Sequence, residues 1–342
     1  MGTLLTKPAA PVKSLAIFLA HYLALCFAIA ALPGHAQTSQ QSATQPPPHT
    51  SGFPNLAVGE TREAMIESFQ DAPQLERRAS ALDLLTQQRR LAFALSDLAP
   101  QRAGIVDTYV VTIALDSDPV FAREAREAGR VLSARYGGQG RTLTLAGPDG
   151  ARDDLPRGSI DTLLVSLAHI AETMDTKEDV LVLYTTSHGN PTGLAYHYGD
   201  TGYGILSPAK LAQTFAELGI DRRLVIISAC YSGVFVPALT NSQGAVVTAA
   251  AAQRNSFGCR ADNDWTFFGD ALINRAMRQP QPLDAALQSA QRMIAKWESE
   301  RRLLASLPQS AIGQEARQWL NQLEAQMPQE ASEPVGRPAV GD

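Results

Sequence analysis

The chain has 342 residues, 45% of them hydrophobic, and a formal net charge of −5 at pH 7. Its size and apolar content suffice for one large core. The acidic balance argues against nucleic acid or an anionic membrane surface as a partner. No CxxC, HExxH or other metal-ligand spacing occurs, so neither a metal nor a cofactor is expected.

The N-terminus carries Lys7 and Lys13, an apolar stretch from Leu15 to Leu32, then Pro33-Gly34-His35-Ala36. Charge, apolar core and small residues in that order read as a secretory leader over residues 1–36, cleaved after Ala36. The stretch also approaches the roughly 18 residues of a membrane span, which leaves an uncleaved anchor as an alternative. Lipidation at Cys26, within Leu23-Ala24-Leu25-Cys26, is another, although Leu25 is larger than the residue usual there. Each reading makes the protein exported, periplasmic or secreted, with a membrane involved only if the leader stays or is lipidated. Loss of residues 1–36 removes two lysines and no acid, moving the net charge from −5 to −7. Residues 37–55, Gln/Ser/Thr/Pro-rich around Pro46-Pro47-Pro48, read as an exposed, extended linker.

Residues 56–326 are expected to form one domain with helical extensions at both ends. Amphipathic helical patterning over 60–95 precedes a buried strand at 104–115. Asp118-Pro119 opens a helix, with Asp118 as N-cap and Pro119 at its first position. A short strand spans 141–145, and Ser159 caps a helix running to Met174. Asp179-Val-Leu-Val-Leu-Tyr-Thr-Thr-Ser-His188 and Arg223-Leu-Val-Ile-Ile-Ser-Ala-Cys230 are apolar, β-branched runs with a helix at 207–219 between them. That is a βαβ unit, so both strands point the same way. Another strand follows at 244–250, then helices at 264–278, 282–305 and 310–326. The tail, 327–342, reads as disordered. Strands alternating with helices predict an α/β fold of three layers, with a mostly parallel central sheet flanked by helices.

The carboxyl edge of such a sheet is where sites are built, and there the two runs deliver an imidazole and a thiol. A thiol is a weak nucleophile until an adjacent base or cation makes it a thiolate, a part His188 suits. Backbone N–H groups of Gly189 and Cys230 are candidates for an oxyanion hole. Ser187 and Asn190 are candidates to orient the imidazole. The bland alternative makes Cys230 a buried, inert thiol or half of a disulfide with Cys259. His169 reads as a core or solvent-edge residue, and His197 as part of a Gly/Tyr-rich loop.

Tyr184-Thr-Thr-Ser-His-Gly189, Ile227-Ser-Ala-Cys-Tyr-Ser-Gly233, Val247-Thr-Ala-Ala250 with Asn255-Ser-Phe-Gly-Cys259, and Phe268-Gly269-Asp270 together resemble the legumain family of cysteine peptidases, the C13 group of the caspase-like clan. The resemblance spans roughly residues 104–280. It implies a caspase-like fold and hydrolysis of peptide or protein substrates through a Cys230/His188 dyad and a thioester. It also implies a pocket for Asn or Asp at P1, lined by Arg123, Ser228, Ser256 and Asp270. Ser228 stands where the family has a Glu, which makes the pocket less acidic. Without that implied role, Arg123 is a solvated residue in an Arg/Glu-rich helix and Asp270 a cap or surface acid. A transamidase or ligase on the same dyad, and a non-catalytic binding protein on this fold, are the alternatives.

Overall fold

The computed structural model describes residues 44–340. The expected leader, its anchored and lipidated alternatives, and residues 37–43 of the linker lie outside them. In chain order the first elements are α1 (Arg62–Ser68), β1 (Gln74–Glu76), α2 (Ala81–Ser96), β2 (Thr108–Ala114), α3 (Pro119–Tyr136) and β3 (Thr142–Leu145). Next come α4 (Ile160–Thr173), β4 (Val180–Thr186), β5 (Gly189–Asn190), β6 (Gly193–Tyr198), β7 (Gly202–Leu206), α5 (Pro208–Leu218) and β8 (Arg223–Ser228). The chain finishes with α6 (Val236–Leu239), β9 (Ala245–Thr248), α7 (Leu283–Glu300), β10 (Gln309–Ile312) and α8 (Ala316–Glu324).

Six strands form the central sheet in the order β10-β9-β8-β4-β2-β3. All neighbours are parallel except β10, which closes the β9 edge antiparallel. The fold class expected from the alternating pattern is the one found. Strands β2, β4 and β8 are buried along their whole length, as continuous apolar runs covered on both faces must be. One face packs Val110, Val182, Leu224 and Val247 against α3, α7 and α8; the other packs Val111, Leu183 and Val225 against α4 and α5. The caps follow the sequence. Ser159 and Thr162 form a reciprocal capping box on α4, and Ser207 with Pro208 starts α5. From β2 the chain winds first to β3 and then back across to β4, so the sheet reverses direction between β2 and β4. A doubly wound sheet opens its crevice at such a point.

Five regions differ from the expectation. Residues 189–206 supply three strands of a second sheet, four-stranded and antiparallel in the order β1-β7-β6-β5, with β1 (Gln74–Glu76) joining from the region expected to be helical, so His197 stands in a strand. Its strands are short and carry Gly189, Gly193, Gly202 and Gly204, which hides the period-2 signal. The expected helix at 264–278 is a buried π-helix over Gly269–Arg275 followed by a 3-10 turn. Residues 309–312 of the last expected helix pair as β10 instead. The tail is held: Val335 exchanges hydrogen bonds with Asn274 and accepts one from Trp265 Nε1, and Arg337 pairs with Asp264. The described end of the linker is likewise docked, with Thr50 and Ser51 bonded to Asp200 and Phe53 edge-on to Tyr203.

Candidate active site

Strands β4 and β8 pair in register, Thr185 with Ile227 and Thr186 with Ser228. His188 and Cys230 therefore stand at equivalent positions, each two residues past the last pair. The two loops touch. A Cβ on Gly189 would run into the Cys230 carbonyl oxygen and crowd Ala229 Cβ, so only glycine lets the histidine loop lie against the cysteine loop. Behind them Ser187 Oγ donates to Ala195 O at 2.6 Å and Ala195 N donates to His188 O at 2.9 Å, tying the histidine loop to β6.

The imidazole keeps about 40% of its side chain exposed and places Nε2 3.8 Å from Asp118 Oδ2. Phe121 meets it edge-on at 5.1 Å. Asp118 is the N-cap of α3, as expected, but makes no side-chain cap hydrogen bond; its carboxylate serves the histidine. Burial disfavours the imidazolium, yet Asp118, the Cys259 thiol and Asp116 outweigh it and raise the His188 pKa to about 10. The same contact with His188 lowers the Asp118 pKa. Ser187 and Asn190 do not orient the ring: Ser187 is spent on Ala195, and Asn190 Oδ1 accepts from Thr192. The side chains that face the ring are Asp118 and Phe121 instead. Asp118 was legible only as a cap, because nothing in sequence tells a capping carboxylate from one turned to a neighbour.

Cys230 is half-buried and, like Cys259, a free thiol. Ser256 N donates to Cys230 Sγ at 3.3 Å, and Sγ lies 3.4 Å from Ser256 O. Among the described residues no hydrogen bond joins Sγ to the imidazole, a link that often tightens only once substrate is bound. Tyr231, next in the chain, has φ 56° and bonds through its N–H to Arg254 O. The loop 251–264 thus runs along the rim, touching Cys230 through Ser256, His188 through Cys259 and Arg123 through Asn263.

The expected substrate residues are not brought together. Ser256 reaches Cys230 Sγ. Ser228 Oγ is buried against Thr266 Oγ1 at 3.1 Å. Arg123 binds Asn263 O at 2.7 Å and Asp264 at 3.4 Å, with a third of its side chain exposed. Asp270 is entirely buried: Asn274 and Arg275 hold Oδ1, and Ala339 N holds Oδ2. It is neither a pocket wall nor a surface acid, because the π-helix turns it inward under the tail. The charges around Arg123 are not solvated either. Glu124, fully buried, accepts from Tyr184 Oη, Thr186 Oγ1 and Thr266 N. Arg126 pairs with Asp149 and Asp154, and Glu127 with Arg278.

Residues 165–318 match the model of the Peptidase C13 family. That is the legumain-like family the motifs resemble. The match supports a cysteine peptidase; it takes in His188, Cys230, Ser228, Ser256 and Asp270, and leaves Arg123 outside. The crystal structure of caspase-1 from Spodoptera frugiperda is similar over 63% of this chain and 92% of that one, at 13% identity and a TM-score of 0.41. No curated protein matches the chain.

Proposed function

We propose that this C13-like chain is an endopeptidase acting through Cys230 and His188. The observation that carries the reading is the equivalence of the two residues on adjacent parallel strands, with their loops in contact at Gly189. Cys230 Sγ, as thiolate, attacks the scissile carbonyl carbon, and the resulting oxyanion is met by N–H groups of the abutting loops. The Ser256 N–H solvates the sulfur while it is anionic. Collapse expels the amine, which takes its proton from the His188 imidazolium and leaves a thioester on Cys230. Water then attacks the thioester, giving one proton to His188 and releasing the acid. Asp118 and Phe121 hold the ring for both proton transfers. At P1 the preference is Asn or Asp, carried by Arg123 beside the rim loop; Asp270 takes no part in it, since its carboxylate is closed off.

The test is hydrolysis of a fluorogenic peptide panel varied at P1, under reducing conditions, beside Cys230→Ala. Cleavage after Asn or Asp that falls at least 1000-fold in the variant is expected. Undiminished cleavage in Cys230→Ala, or a folded and reduced protein with no turnover, overturns the assignment. Loss of the Asn/Asp preference in Arg123→Ala, with other peptides still cut, is expected if Arg123 selects P1.

A further inference from the structure

A second cluster lies at the same sheet edge; its carboxylate, Asp116, adds to the field at His188, but its two histidines take no part in the proposed chemistry. Asp116, just past β2, has a side chain with no solvent exposure. Its Oδ1 accepts the Asp118 N–H at 2.8 Å, but among the described residues its Oδ2 accepts no hydrogen bond. A buried carboxylate oxygen without a partner costs free energy unless something else meets it. Two histidines from distant parts of the chain face this group. His49, from the docked linker, places Nε2 3.7 Å from Asp116 Oδ1. His197, from β6, places Nδ1 3.8 Å from Asp116 Oδ2. Their rings stack at 3.6 Å, each turning a nitrogen toward the carboxylate.

These separations are too long for hydrogen bonds. They come close to the spacing of ligand atoms around one cation: bonds of about 2.0–2.2 Å in a tetrahedral zinc site set neighbouring donors roughly 3.3–3.6 Å apart. All three ligand atoms lie within 4.8 Å of one another. Two imidazoles and one carboxylate are a zinc-type donor set with a fourth position left over. The competing partner of His49 Nε2 is Ser117 Oγ at 2.8 Å. That hydroxyl also lies 3.3 Å from Pro47 O and accepts from Gly199 N, so it keeps its bonds when the imidazole lone pair is engaged elsewhere. No sequence spacing announces the site, because its members come from the linker, the end of β2 and the second sheet.

We infer that His49, Asp116 and His197 bind a zinc-class divalent cation, which pins residues 44–53 to the domain. The inference is independent of the peptidase reading. To test it, the purified protein with Cys230→Ala and Cys259→Ala, so that no thiol competes, is titrated with Zn2+ by calorimetry and its metal counted after desalting. One zinc per chain is expected, with affinity reduced at least tenfold by His49→Ala and by His197→Ala. Bound zinc is also expected to slow proteolytic cutting within 44–53. Absence of stoichiometric zinc, or wild-type affinity in either histidine variant, overturns it.

Discussion

His188 carries its charge because three groups around it outweigh its burial, and Asp118 is the foremost of them. The sign of the consequence is set by a pKa that rises from 6.5 toward 10 on folding. The stabilisation from the charged ring is complete below about 6.5 and is lost as pH climbs through 10. Activity that needs the imidazolium as proton donor therefore persists well above neutrality. Asp118→Asn is expected to pull the alkaline limb of the kcat/KM profile down by at least one pH unit, with little change at pH 6. An unmoved limb would show that Asp118 does not hold the ring. A different lesson comes from Glu124. A polar residue in an Arg/Glu-rich helix reads as solvated, yet this one is fully buried with three donors on its carboxylate. Glu124→Gln swaps an acceptor oxygen for an amide facing donors, and is expected to cost about 2–4 kcal/mol in chemical denaturation.

Among the elements, the two signature strands were legible because parallel central strands are apolar on both faces and end abruptly in polar residues. Their partners were harder to read. The three antiparallel strands over 189–206 are rich in glycine, and β10 emerges from a stretch that scans as helix until the β9 edge claims its backbone. The juxtaposition of His188 and Cys230 followed from the strands; the carboxylate beside the imidazole did not, since Asp118 looks like any N-cap. Loop contact at Gly189 is the feature most sensitive to a single atom. Gly189→Ala forces the histidine loop off Cys230 and is expected to destabilise by about 1–3 kcal/mol while cutting kcat at least tenfold. An active, equally stable variant would refute the close approach. The rim loop 251–264 is a separate matter: it reaches Cys230, His188 and Arg123 through Ser256, Cys259 and Asn263 in turn, so exchanges of its side chains are expected to change P1 selection more than turnover in the peptide panel.

At the scale of the whole chain, the C-terminal tail belongs to the fold it was expected to trail from. Val335, Arg337 and Ala339 satisfy Trp265, Asn274, Asp264 and Asp270, two of which are fully interior acids or amides. Truncation before residue 333 is expected to cost about 2–4 kcal/mol by leaving those groups unpaired, read as a lowered Tm; an unchanged Tm would mean the tail adds nothing. The parallel order of the central sheet has its own consequence. Neighbouring parallel strands are never joined by a tight turn, so His188 and Cys230 meet only after crossovers and long-range pairing, which form late and slowly. A chain that has formed only its local helices and turns does not yet hold the proposed pair in place. For the endopeptidase proposed above, a chain still unfolded during synthesis is an easy substrate for others but is not yet able to cut its neighbours.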